Sequence, residues 1–132
     1  MDIRKKQRVV VDALEDIKGR DILVYDTARM PSMFERVVIA SGESTRQVKA
    51  LADNVQEKVR ENGARVYGVE GEASGEWVLV DLGDVVVHIM HPTVRDFYNL
   101  EEVWGGKPVR MKRAAAKKKN ARGKAARRRR SR

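Results

Sequence analysis

Apolar residues recur along the first part of the chain with two different spacings, and the spacing separates helix from strand. Val10, Ala13, Leu14 and Ile17 follow an i, i+3, i+4, i+7 pattern. They line one side of a helix predicted over residues 4–18, with Gly19 where a left-handed residue would end it. Two short apolar runs come next: Ile22, Leu23, Val24 and Tyr25 end at Asp26, and Val37, Val38, Ile39 and Ala40 stop before Ser41-Gly42. Both suit buried strands, joined by a loop over residues 27–33 that contains Pro31.

A clearer helical stripe follows. Val48, Leu51, Ala52, Val55 and Val59 keep to one side while Glu57, Lys58, Arg60 and Glu61 fill the other. Ser44 with Gln47 makes a capping box, and Gly63 marks the stop. Residues 64–69 predict a third strand and residues 71–75 a turn. Two stronger strand signals, residues 77–82 and 85–90, are separated only by Gly83-Asp84, a connection short enough to favour an antiparallel hairpin. Thr93 and Asp96 are placed to cap a last short helix through Tyr98, with Leu100 and Trp104 as further apolar contacts. The order α, β, β, α, β, β, β, α predicts an α/β fold with a single mixed β-sheet flanked by helices.

Charge divides this picture in two. The 132 residues carry a formal net charge of +9, which taken whole reads as a nucleic-acid binder. Residues 1–106, however, hold fourteen Lys and Arg against nineteen Asp and Glu, a balance of −5, whereas residues 107–132 hold fourteen basic residues and no acidic one. The chain therefore reads as an acidic folded domain, 1–106, followed by a basic tail, 107–132. The Ala, Gly, Lys and Arg of the tail bury too little apolar surface to offset its ordering entropy, so it is expected to be disordered in isolation.

No cysteine is present, which excludes a disulfide framework, a thiolate metal site and a cysteine nucleophile, and points to a reducing, cytoplasmic home. No stretch approaches the roughly 18 uninterrupted apolar residues of a membrane span. Near the N-terminus Val9, Val10 and Val11 are soon followed by Asp12, Glu15 and Asp16, which is no signal-peptide core, and no membrane partner is expected.

Three segments carry a family resemblance: Gly68-Val69-Glu70-Gly71-Glu72; Trp77-Val78-Leu79-Val80-Asp81-Leu82-Gly83-Asp84-Val85-Val86-Val87-His88; and Arg95-Asp96-Phe97-Tyr98-Asn99-Leu100-Glu101-Glu102-Val103-Trp104. Together with Gly19-Arg20-Asp21-Ile22, Ile39-Ala40-Ser41-Gly42, Ser44, Arg46, Gln47 and Ala52-Asp53, they resemble the ribosomal silencing factor (Iojap) family over roughly residues 5–105, with only the tail outside. The resemblance implies a nucleotidyltransferase-like core without known catalytic activity, dimeric when free. It also implies a partner, large-subunit ribosomal protein fourteen on the 50S subunit. Occupying that surface would keep the small subunit from joining and repress translation when nutrients are scarce.

The residues themselves offer candidates for such a surface. A period of two puts Trp77, Leu79 and Asp81 on one strand face and Val78, Val80 and Leu82 on the other. A large aromatic beside a carboxylate fits a partly exposed docking face, because a buried carboxylate without a partner is costly and interfaces favour aromatic anchors. The plainer alternative makes Trp77 a core residue and lets Asp81 cap a turn. Glu70, Glu72, Asp81 and Asp84 gather around the two turns flanking this strand, where they would steer encounter with a basic protein or simply be solvated. Met90 and Tyr98 complete the partner-binding candidates, in the docking face or a dimer interface, with packing as the alternative. In the tail, Lys117, Lys118, Lys119, Arg127, Arg128, Arg129 and Arg130 suit contacts to ribosomal RNA phosphates without base selectivity, since no aromatic is interleaved for stacking.

Two other chemistries compete. Ser41-Gly42 before a helix has the form of the phosphate-holding turn of nucleotidyltransferases, but the magnesium-binding acidic pair is missing: Asp81 and Asp84 are three apart across a turn. An RNA-modifying enzyme therefore stands only as an alternative, beside general RNA binding through the tail, and no cofactor is expected. His88 and His91 point to opposite faces while the strand lasts and make a poor metal pair, so His88 is expected to be a hydrogen-bonded structural residue.

Overall fold

The two amphipathic stripes become two helices laid on one face of a five-stranded sheet. The computed structural model describes residues 1–29 and 34–99. In chain order these form α1 (Ile3–Asp16), β1 (Arg20–Asp26), β2 (Arg36–Ser41), α2 (Thr45–Glu61), β3 (Gly68–Glu70), β4 (Trp77–Asp81), β5 (Val85–Met90) and α3 (Pro92–Tyr98), the succession that the sequence pattern predicts. The expected disorder and phosphate contacts of 107–132, the packing of Leu100 and Trp104, and the Pro31 end of the first loop concern residues outside those described.

The sheet runs β1-β2-β5-β4-β3, with β2 and β5 parallel and the other neighbours antiparallel, so it is mixed as expected. Val10, Leu14, Leu51, Val55 and Val59 from α1 and α2 pack on Val38, Ala40, Val78, Val80, Val87 and Ile89 from one sheet face. On the opposite face Tyr25, Val37, Ile39, Val86 and Met90 form a second, smaller core, against which Leu23, Trp77, Leu79 and Val94 of α3 pack. Strands β2 and β5 are thus covered on both sides, which is why they read as unbroken apolar runs without alternation.

Helix ends depart from the pattern in their details. Asp2 caps α1 by accepting from the Lys5 N–H at 2.8 Å. The left-handed position after α1 is taken by Lys18 (φ 63°) rather than by Gly19. Gly19 serves close approach instead: a Cβ there would lie 3.0 Å from the Leu14 carbonyl oxygen and 3.1 Å from Leu51 Cδ2 of the neighbouring helix. At α2 the Ser44 half of the expected capping box forms, with the Gln47 N–H donating to Ser44 Oγ at 3.0 Å, while Gln47 Oε1 reaches one residue further back and accepts from the Glu43 N–H at 2.7 Å. The Gln47 amide also donates to the Ile17 carbonyl at 3.0 Å, tying the start of α2 to the end of α1.

Two boundaries move. The third strand is only Gly68–Glu70, not residues 64–69. Gly68 pairs with Asp81, the last residue of β4, so residues 64–66 run past the end of their partner; Tyr67 still donates a backbone bond to the Asp81 carbonyl at 2.8 Å, whereas the Ala64 N–H turns back to the Val59 carbonyl at the end of α2 at 3.0 Å. The last helix is capped by His91, whose Nδ1 accepts from the Thr93 N–H at 3.3 Å, not by Thr93 or Asp96. Pro92 explains the shift: its fixed φ and missing N–H make it a natural first helical residue, which moves the cap to the residue before it. Among the described residues no helix is long and apolar enough to cross a membrane.

Candidate docking face

The Gly83-Asp84 connection sets the register of the β4–β5 hairpin, pairing Asp81 with Val86, Leu79 with His88 and Trp77 with Met90. Burial along β4 then alternates as its sequence predicts: Val78 and Val80 are fully buried toward the helices, and Trp77, Leu79 and Asp81 are half-buried on the other face. Trp77 and His88, on diagonal positions of that face, meet. The indole Nε1–H donates to His88 Nδ1 at 3.0 Å, with ring centroids 5.9 Å apart. His88 is therefore hydrogen-bonded, as expected, and burial lowers its pKa from 6.5 to about 4, so the ring is neutral near pH 7.

Helix α3 brings the remaining aromatics. Arg95 is buried, and its guanidinium donates to Ser41 Oγ at 2.9 Å, fastening α3 over the end of β2. Asn99 closes the helix in the left-handed conformation (φ 48°). The last turn sets Tyr98 against Trp77 with ring centroids 5.1 Å apart, and Phe97 edge-on to Tyr98 at 5.0 Å. Tyr98 is 54% and Phe97 80% exposed. Trp77, Tyr98 and Phe97 form an aromatic ledge along the rim of the second sheet face. Large exposed aromatics in such a setting are the kind of apolar area that interfaces use.

The other candidates separate. Met90 is fully buried in the second core, so it supports the ledge from beneath and does not contact a partner. Asp81 takes the plainer of its two readings: its Oδ1 accepts from the Gly83 N–H at 2.9 Å and caps the hairpin turn. Asp84 pairs with Lys6 Nζ at 2.7 Å, and Lys6 also donates to the Leu82 carbonyl at 3.1 Å, which fastens α1 to the hairpin. These two carboxylates lie at the far end of β4 from the turn over 71–75, about 13 Å away at the usual rise per strand residue. Glu70 and Glu72 are exposed, and Glu70 pairs in register with Leu79. The acids thus form two groups: Asp81 and Asp84 serve the fold, and Glu70 and Glu72 face solvent on the Trp77 side. Among the described residues no group of three or more His, Cys, Asp or Glu could hold a metal ion.

The turn that precedes the ledge admits only glycine at one point. Gly71 has φ +89°, and a Cβ there would collide with the Trp77 carbonyl oxygen. Gly71→Ala should destabilise the fold by about 2 kcal/mol, from the left-handed conformation plus the displaced start of β4. Urea unfolding of the two proteins measures this, and an unchanged midpoint would show that the turn can open at no cost to the fold.

A single mixed sheet with α1 and α2 on one face, and α3 with its aromatic ledge on the other, makes this an α/β domain with a candidate docking face. The family model for the ribosomal silencing factor during starvation matches residues 1–132, tail included, and the chain belongs to the ribosomal silencing factor (RsfS) family. The RsfS of Chromobacterium violaceum is 52% identical over 117 residues, covering 89% of this chain and 96% of that protein. The RsfS of Bacillus subtilis is 39% identical over 102 residues, covering 77% of this chain and 86% of that one. A crystal structure of the Chromobacterium violaceum protein superposes with a TM-score of 0.79, at 52% identity, over 89% of this chain and 98% of that chain.

Proposed function

We propose that this chain silences ribosomes by docking on large-subunit ribosomal protein fourteen and sterically blocking small-subunit joining, without catalysing a reaction. The observation that carries the reading is the exposed Trp77–Tyr98–Phe97 ledge on a domain whose other sheet face is closed by helices. Membership of the ribosomal silencing factor family supports the same reading. Leu79 and the exposed Glu70 and Glu72 border the ledge, the acids complementing a basic ribosomal protein. The test is a sucrose gradient of 30S and 50S subunits mixed under joining conditions. Saturating protein should deplete the 70S peak and travel with 50S; an undiminished 70S peak at saturation would overturn the proposal.

In this reading the basic tail follows ribosomal RNA phosphates around the docking point. Removing residues 107–132 should weaken binding to 50S and flatten its salt dependence. The log–log slope should drop by about 0.7 to 0.9 for each phosphate that the tail no longer engages, with about 5 to 8 phosphates in play. Titrations across a salt series measure the slope. Preference for 50S over 30S should survive the truncation, and its disappearance would mean that the tail selects the site.

A further inference from the structure

We propose that His88 is a positioning residue of the docking face: its Nδ1 lone pair fixes the Trp77 indole, so that the ledge is preformed before the partner arrives. The proposal rests on the docking reading above. His88 sits on the central strand, between Ile39 of β2 and Leu79 of β4 in register, and is 8% exposed. An indole N–H can only donate, so the 3.0 Å contact requires a lone pair on Nδ1, with the ring neutral and its proton on Nε2. Burial holds the ring in that neutral form. A packed core strand thus supplies the acceptor, while Trp77 itself stands half-exposed at the rim.

The pair constrains the indole from two directions. His88 holds its N–H edge, and Tyr98 lies tilted against it at 49°. Without the acceptor, the N–H edge has only water to bond on the open side, and the ring gains freedom that docking must then remove. Immobilising a side chain in advance is a general way to raise affinity without adding a contact to the partner. The position is specific about chemistry: the side chain must offer an acceptor where Nδ1 lies, and a protonated ring or an apolar one offers none.

The full-length chain tests this with two measurements. The first is exchange of the Trp77 Nε1–H with water by 15N NMR, its resonance identified by its disappearance in Trp77→Phe. The second is affinity for 50S subunits. In His88→Phe, which keeps a ring and removes the acceptor, the indole proton should exchange at least about tenfold faster and affinity should fall about five- to tenfold, the worth of one net hydrogen bond. His88→Asn, whose Oδ1 stands near the place of Nδ1, should recover part of both. Faster exchange with unchanged affinity, or no change in either, overturns the positioning role. Should His88→Phe fail to fold, the wild-type protein decides alone, since a Trp77 Nε1–H exchanging as fast as a free indole also overturns it. Normal 50S binding by Trp77→Ala would instead remove the docking reading, while the exchange data would still report whether His88 holds the ring.

Discussion

Trp77→Ala should lower affinity for the 50S subunit about 30-fold or more, the effect expected of an aromatic anchor at the centre of an interface. The indole is where the ledge is joined: it meets His88 on one side and Tyr98 on the other, and Phe97 stands edge-on to Tyr98. Removing it leaves Tyr98 with Phe97 as its remaining ring contact and opens the second core at Met90, the register partner of Trp77 on β5. The substitution is made alone, because changing Asp81 as well would break the cap on the Gly83 N–H and confuse docking with folding. Binding titrations at fixed salt give the answer, with circular dichroism confirming that the variant is folded. Affinity within threefold of wild type would remove Trp77 from the interface.

Folding stability should fall on acidification, and His88 should account for about 3 kcal/mol of the fall. Its pKa is lowered by burial from 6.5 to about 4 in the folded chain. Between those values the unfolded chain binds a proton that the folded chain excludes, so stability rises with pH. The contribution is complete above about pH 6.5 and is lost as the pH drops through the window toward 4. Urea unfolding at pH 7 and at pH 4.5 should show a smaller difference in His88→Phe than in wild type. Equal differences would assign the acid sensitivity to the carboxylates instead.

Much of this fold is legible in the sequence because its elements are locally consistent. The stripe from Val48 to Val59 can only be one side of a helix, and the two-residue Gly83-Asp84 connection fixes the hairpin register. Counting back from that turn opposes Trp77 to Met90 and makes His88 its diagonal neighbour. The Trp77–His88 bond is therefore within reach of the sequence, although the pattern of single strands does not display it. The burial of Met90 is harder to read, since β5 is covered on both faces and its register alone does not separate rim from core. Asp81 and Asp84 mislead for a different reason. A carboxylate at a turn looks the same in sequence whether it faces a partner, bonds the Gly83 N–H or holds Lys6 from a helix 78 positions away. Phe97 is the ledge residue that strand periodicity does not find, and its signal lies in α3: an arginine, Arg95, is buried there while the phenylalanine stands exposed. That inversion of the usual helical pattern is what sets Phe97 apart from the other residues of α3.

The parallel pairing of β2 with β5 joins Val38 to Val87, 49 positions later in the chain. Long-range pairing of this kind forms late, because the intervening loop must be closed before the contacts reward it. β5 carries His88, and its other neighbour, β4, carries Trp77. Trp77, His88, Phe97 and Tyr98 all come from the C-terminal part of the chain, but α3, which carries two of them, is fastened by Arg95 to Ser41 of β2 in the N-terminal part. A cut between α2 and β4 would leave all four residues on one fragment but would part Arg95 from Ser41 and β5 from β2. The seat of the aromatic ledge is in this way tied to pairing between strands far apart in the chain.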